Sequence, residues 1–124
     1  MSNLQKTDKT DIINGKLDER KGRLLLETDV DITSTHVPVL RRGMMDFIES
    51  TESSAWKFLY LDLRTARIID STGVNWLFAE SVRLREEGKQ LVLRISSPAI
   101  NRVFEFAGLD KVVTLKFRRR KQSR

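Results

Sequence analysis

Phe58-Leu59-Tyr60-Leu61-Asp62-Leu63, running on through Ile68-Ile69 to Asp70-Ser71-Thr72-Gly73, is the stretch that decides the fold. The first six residues are almost continuously apolar and read as a strand buried on both faces, as in a parallel sheet. Ile68-Ile69 carries that apolar character up to Asp70. Asp70-Ser71-Thr72-Gly73 is then a helix-start signal, because short polar side chains accept bonds from the unpaired N–H groups of a first helical turn. Past it, Val74, Leu77, Phe78 and Ser81 recur at helical spacing, with Leu84 or Arg85 next, which predicts a core-facing stripe. Gly88, after Glu86-Glu87, predicts the stop.

The same grammar extends in both directions. Downstream, Leu91-Val92-Leu93-Arg94-Ile95 reads as a strand, and Ser97-Pro98 as an N-cap followed by a proline in the first turn. Ile100, Val103, Phe104 and Ala107 form the apolar face of a helix that Gly108 ends, and Val112–Phe117 is a last extended segment. Upstream, Ile12, Ile13 and Leu17 around Asn14-Gly15 suggest a short strand. A charged turn, Asp18–Gly22, leads to a second strand at Leu24-Leu25-Leu26, so a hairpin is expected. Asp31–Thr35 is a polar loop. Pro38, Val37, Leu40, Met44, Phe47 and Ile48 then predict a helix to about Ser50, weakened by about 1 kcal/mol at Gly43. The order is β-β-α-β-α-β-α-β. Helices between strands at short intervals imply right-handed crossovers and a mixed, mostly parallel sheet of four to five strands flanked by helices.

At 124 residues, 40% hydrophobic and 32% charged, the chain suits one soluble α/β domain. The expected organisation is a flexible segment at 1–10, the domain at 11–117 and a basic tail at 118–124. No apolar run approaches the roughly 18 residues of a membrane helix. The first residues hold no secretory h-region, so a cytoplasmic protein is expected. There is no cysteine, which excludes disulfides and thiolate chemistry. The net charge of +6 is concentrated at the C-terminus. Lys116, Arg118, Arg119, Arg120, Lys121 and Arg124 supply six of the 23 basic residues, and residues 1–115 balance 17 basic against 17 acidic. Such a tail can meet nucleic acid or an anionic membrane, or simply lie solvated. A neutral body and a basic run without interleaved aromatics argue against a dedicated nucleic-acid module.

Catalytic chemistry finds little support. His36 is the one histidine and reads as a surface or capping residue. The carboxylates lack metal-ligand spacing, so no metal is expected. Gly73 stands alone with no Lys-Ser or Lys-Thr after it, which excludes a nucleotide P-loop, and no dinucleotide fingerprint occurs. No cofactor is expected. What remains is the junction at Asp70–Gly73, at the carboxyl end of a strand, where open α/β folds present functional loops. The positive end of a helix would favour a phosphate there, although a Ser or Asp in that place is ordinarily just an N-cap.

The junction and its surroundings resemble the STAS (anti-sigma-factor-antagonist) family. Leu61-Asp62-Leu63 followed by Ile69-Asp70-Ser71-Thr72-Gly73-Val74 is similar to that family's strand and D-S-[ST]-G-[LV] signature. Arg85-Glu86-Glu87-Gly88-Lys89 with Leu91-Val92-Leu93, and Val103-Phe104-Glu105-Phe106-Ala107-Gly108-Leu109-Asp110, resemble its next elements. The likeness runs from about Leu24 to Leu115 and is weaker in the N-terminal third.

The resemblance implies a non-enzymatic partner-switching regulator, with Ser71 as phosphoacceptor. The implied partners are a serine kinase with a histidine-kinase-like ATP-binding fold, often itself an anti-sigma factor, and a metal-dependent serine phosphatase. The alternative is a non-switching STAS subunit of a lipid-transport or sensory complex. Asp70 would orient the switch loop and Thr72 cap the helix, with Gly73 completing the motif. Asp31, Thr33 and Ser34 correspond to the loop that lies beside the switch in the family. Trp76 falls off the Val74/Leu77/Ser81 stripe and has two readings, an exposed anchor for a partner or a partly buried packing residue. Asn75 departs from the family, which often has a small residue two positions after the glycine. The basic tail also lies outside the family pattern.

Overall fold

Asp18 closes the first turn of the chain in two ways. Its carboxylate accepts the Lys21 N–H at 3.4 Å and pairs with the Arg23 guanidinium at 3.0 Å. Gly22 then takes φ +63°, a left-handed conformation that suits glycine. The resulting hairpin joins β1 (Asn14–Asp18) to β2 (Arg23–Glu27). The computed structural model describes residues 12–118, so the segment expected to be flexible at 1–10 and all of the basic tail but Arg118 lie outside the described residues. The remaining elements are α1 (Val37–Glu49), β3 (Phe58–Asp62), α2 (Ser71–Glu86), β4 (Gln90–Ile95), α3 (Pro98–Ala107) and β5 (Thr114–Phe117). Single 3-10 turns stand at Glu19–Lys21, Ser53–Ala55 and Leu109–Lys111.

The five strands are ordered β1-β2-β3-β4-β5, with β1 antiparallel to β2 and the other neighbours parallel. This is the mixed, mostly parallel sheet that the element order predicts. Because the strand order never reverses, three right-handed crossovers place all three helices on one face. Leu24, Leu26, Leu59, Leu61, Leu91 and Leu93 point into that layer and are buried. They join one core with Leu40 and Phe47 of α1, Leu77 and Leu84 of α2, and Ile100 and Phe104 of α3.

The expectation that β3 is buried on both faces is therefore corrected. Phe58, Tyr60 and Asp62 alternate with the buried leucines and are only half-buried, because no helix covers their side. Long polar side chains cover it instead. The guanidiniums of Arg23 and Arg94 lie 5.0 and 4.9 Å from the centre of the Tyr60 ring and shield it from both sides.

Three smaller differences have local causes. Gly43 is required rather than merely tolerated: a Cβ there would overlap the Ile13 side chain where α1 crosses the segment before β1. β5 begins at Thr114 rather than Val112, since the N–H groups of Val112 and Val113 both close onto the Leu109 carbonyl at 3.0 Å. On α3 only Ile100 and Phe104 of the expected apolar face are buried. Val103 is partly out, and Ala107 and Phe106 are exposed.

Candidate functional site

The junction after β3 is held by two aspartates that work in opposite directions. Asp70 is the N-cap of α2, and one of its oxygens accepts the Gly73 N–H at 2.9 Å. Its other oxygen accepts the Ser34 N–H at 2.9 Å, across 36 residues of chain. Asp31, in the loop before α1, returns the contact by accepting the N–H groups of Arg67 and Ile68 at 2.9 and 3.2 Å. Between these two clasps the backbones form a parallel bridge at Ile32 and Ile69. Ile32 N–H donates to the Ile68 carbonyl at 3.0 Å, and Asp70 N–H to the Ile32 carbonyl at 3.2 Å.

Gly73 explains how closely the loops approach. A Cβ on it would overlap the Ile32 carbonyl oxygen, and it would lie 2.9 Å from side-chain carbons of Ile32 and Ile69. Only a residue without a side chain lets the first turn of α2 rest on that strand. The N–H groups of Ser34 and Gly73 hold the Asp70 carboxyl below the usual aspartate range. Asp70 is thus a charged, fully engaged anchor, and its neighbour Ser71 is exposed as the first residue of the helix.

The structure brings most of the sequence-derived candidates together. Asp70, Ser71, Thr72 and Gly73 form the first turn of α2; Asp31, Thr33 and Ser34 face it across the bridge. Ser34, Ser71, Thr72 and Asn75 are exposed, whereas Asp31 and Thr33 are half-buried. The Thr33 carbonyl accepts the N–H groups of His36 and Val37 at 2.9 and 2.8 Å and so shapes the entry to α1. His36 precedes α1 without a side-chain cap bond, and its Nδ1 lies 2.9 Å from the Asp31 carbonyl.

Trp76 does not fit an exposed anchor. Its side chain is buried at 2% exposure, and its Nε1 donates to Glu80 Oε2 at 3.1 Å. Glu80, itself buried, also pairs with Arg83. A helix covered on two sides buries residues between as well as on its main stripe, and of the two readings of Trp76 the packing one holds.

Two exposed apolar residues escape a single-stripe reading, one beside the junction and one far along α2. Ile68 is 57% exposed three residues before Ser71. Val82, with Asn75 and Ala79, continues an outward side of α2. The signal was the spacing 71, 75, 79, 82 along the helix, a second period alongside the buried one. Among the described residues no group of three or more His, Asp or Glu is arranged to hold a metal ion, and no helix is long and apolar enough to cross a membrane.

A one-sided α/β sheet with a serine held at a helix start on its carboxyl edge defines a class of small domains that present a loop surface. The chain belongs to the STAS domain family, whose model matches residues 15–123. Among solved structures it is similar to a Thermotoga maritima protein provisionally described as an anti-sigma factor antagonist. The TM-score is 0.72 at 14% sequence identity, with 86% of each chain covered, a likeness that establishes the fold.

Proposed function

We propose that this chain is a partner-switching regulator of the anti-anti-sigma type, controlled by phosphorylation of Ser71. The observation that carries the reading is the exposed Ser71 side chain on a frame anchored by Asp70 and Asp31. Membership of the STAS family and the likeness to a protein described as an anti-sigma factor antagonist support it. The partner is a serine kinase with a histidine-kinase-like ATP-binding fold that also restrains a sigma factor, and a serine phosphatase resets the switch. The chain itself acts by binding, not by catalysis.

The physics of such a switch is local. Unmodified Ser71 is neutral, small and projects from a rigid turn, so a partner can close over it. A phosphate adds about −1.5 to −2 charge at that point. Asp70 sits beside it with both oxygens already engaged by backbone N–H groups, so the added dianion meets a carboxylate that cannot swing away. A loss of only about 3 kcal/mol weakens a complex more than a hundredfold.

The test is a pull-down from the native host with the Ser71→Ala protein as bait, followed by a kinase assay of the captured partner on the wild-type chain. Ser71→Ala is expected to retain binding and to abolish phosphate incorporation, and Ser71→Asp to weaken binding. If neither substitution changes affinity for the captured kinase, the switch assignment fails.

A further inference from the structure

At the pole of the sheet opposite Ser71, a cleft of about 280 Å³ opens between the C-terminal half of α2 and the segment leading into β5. Arg85, Lys89 and Lys111 line it together with Ser81 and Gln90, and no carboxylate does. We propose that this cleft binds a tetrahedral oxyanion of the phosphate or sulfate class. The site is independent of the Ser71 switch and stands whether or not that serine is phosphorylated.

Three features carry the assignment. First, none of the three cations forms an ion pair among the described residues. Their hydrogen bonds go to carbonyls: Arg85 Nη2 donates to Val112 at 3.0 Å, and Lys89 Nζ to Ser53 and Trp56 at 2.6 and 2.7 Å. A guanidinium has five N–H groups and an ammonium three, so donors remain unspent on both, and Lys111 has spent none on another side chain.

Second, Lys89 is buried at 8% exposure, over the Trp56 ring at 4.0 Å. Loss of solvent pulls its ammonium below the usual lysine range, with Glu87 acting weakly the other way. An anion in the cleft would favour the charged form. Third, two carbonyls of the last turn of α2, whose negative end would repel an anion, are already engaged. Leu84 accepts the N–H groups of Glu87 and Lys89, and Arg85 accepts that of Gly88. Gln90 Nε2 is tied to Thr114 Oγ1 at 2.7 Å, which fixes one wall. The nearest acidic residues along the chain, Glu86, Glu87 and Asp110, line no part of the cleft.

The experiment is an amide-resonance titration of the full chain with inorganic phosphate, at ionic strength held constant with chloride, and in parallel with glycerol 3-phosphate. Saturable shifts are expected at Ser81, Arg85, Lys89–Leu91 and Lys111–Val113, with a dissociation constant of millimolar order. Lys111→Gln, an exposed position whose side chain makes no bond among the described residues, is expected to weaken binding about fivefold, the worth of one partly screened charge pair. Tighter binding of the ester would assign the anion to a phosphorylated metabolite, and equal or weaker binding to the free ion. Shifts that do not saturate, that centre on Ser71–Gly73 or on residues 116–124, or that persist unchanged in Lys111→Gln would overturn the site.

Discussion

Gly73 and Asp70 show how much of the site rests on single residues. Gly73→Ala places a methyl group against the Ile32 backbone carbonyl, which cannot yield as a side chain would. The expected cost is about 2–3 kcal/mol, read as a lower urea midpoint at unchanged slope. Asp70 makes a pH prediction. Its folded pKa lies below the ordinary 3.8, so the stabilisation it supplies is complete above that value and is lost as the pH falls through the lower, folded one. The amide resonances of Ser34 and Gly73 are expected to titrate together with a midpoint below 3.8, and to stop doing so in Asp70→Asn. A shared midpoint at or above 3.8 would contradict the clasp. At this scale the sequence was partly readable. Asp70 and Ser97 announced themselves as caps because capping is local. The bond from Asp70 to Ser34 did not, because nothing local links residues 36 positions apart.

Among the elements, the helix bounds were legible and the helix environments were not. Gly88 and Gly108 stand in left-handed conformations just past α2 and α3, where a chain without a Cβ stops a helix most cheaply. The number of sides on which a helix is covered is a tertiary matter, and so the two readings of Trp76, exposed anchor or packing residue, stayed open until the structure decided for packing. Trp76→Phe should cost about 1–2 kcal/mol in thermal or chemical denaturation, since it leaves the buried Glu80 Oε2 without its indole donor. A neutral outcome would mean that the hydrogen bond adds nothing to the packing. Gly43→Ala pits two effects against each other. Helix propensity alone favours alanine by about 1 kcal/mol. Overlap with Ile13, a branched and stiff side chain, is expected to reverse that sign, so the variant should melt at a lower temperature than the parent.

For the molecule as a whole, one-sided coverage of the sheet is the property that hydrophobic patterning concealed. Tyr60 supplied an apolar letter to the β3 run, yet it faces solvent between two guanidiniums. The two faces should answer differently to substitution at adjacent positions. Leu61→Ala, in the core, is expected to cost about 3 kcal/mol. Tyr60→Ala, one residue away on the uncovered side, should cost no more than about 1.5 kcal/mol. Equal costs would show that something covers the second face in solution. The strand order has a further consequence, for the way the chain is made. Each strand pairs with the one that precedes it in sequence, and none waits for a later segment to be inserted beside it. The sheet can grow in step with synthesis, every new strand finding its template already in place. Only the β1–β2 pair is local, while the partners Leu24 and Leu59, Leu59 and Leu91, and Leu93 and Leu115 each enclose a whole helix. Assembly is therefore ordered but slow, and the newest strand stays an open edge until the next crossover folds over.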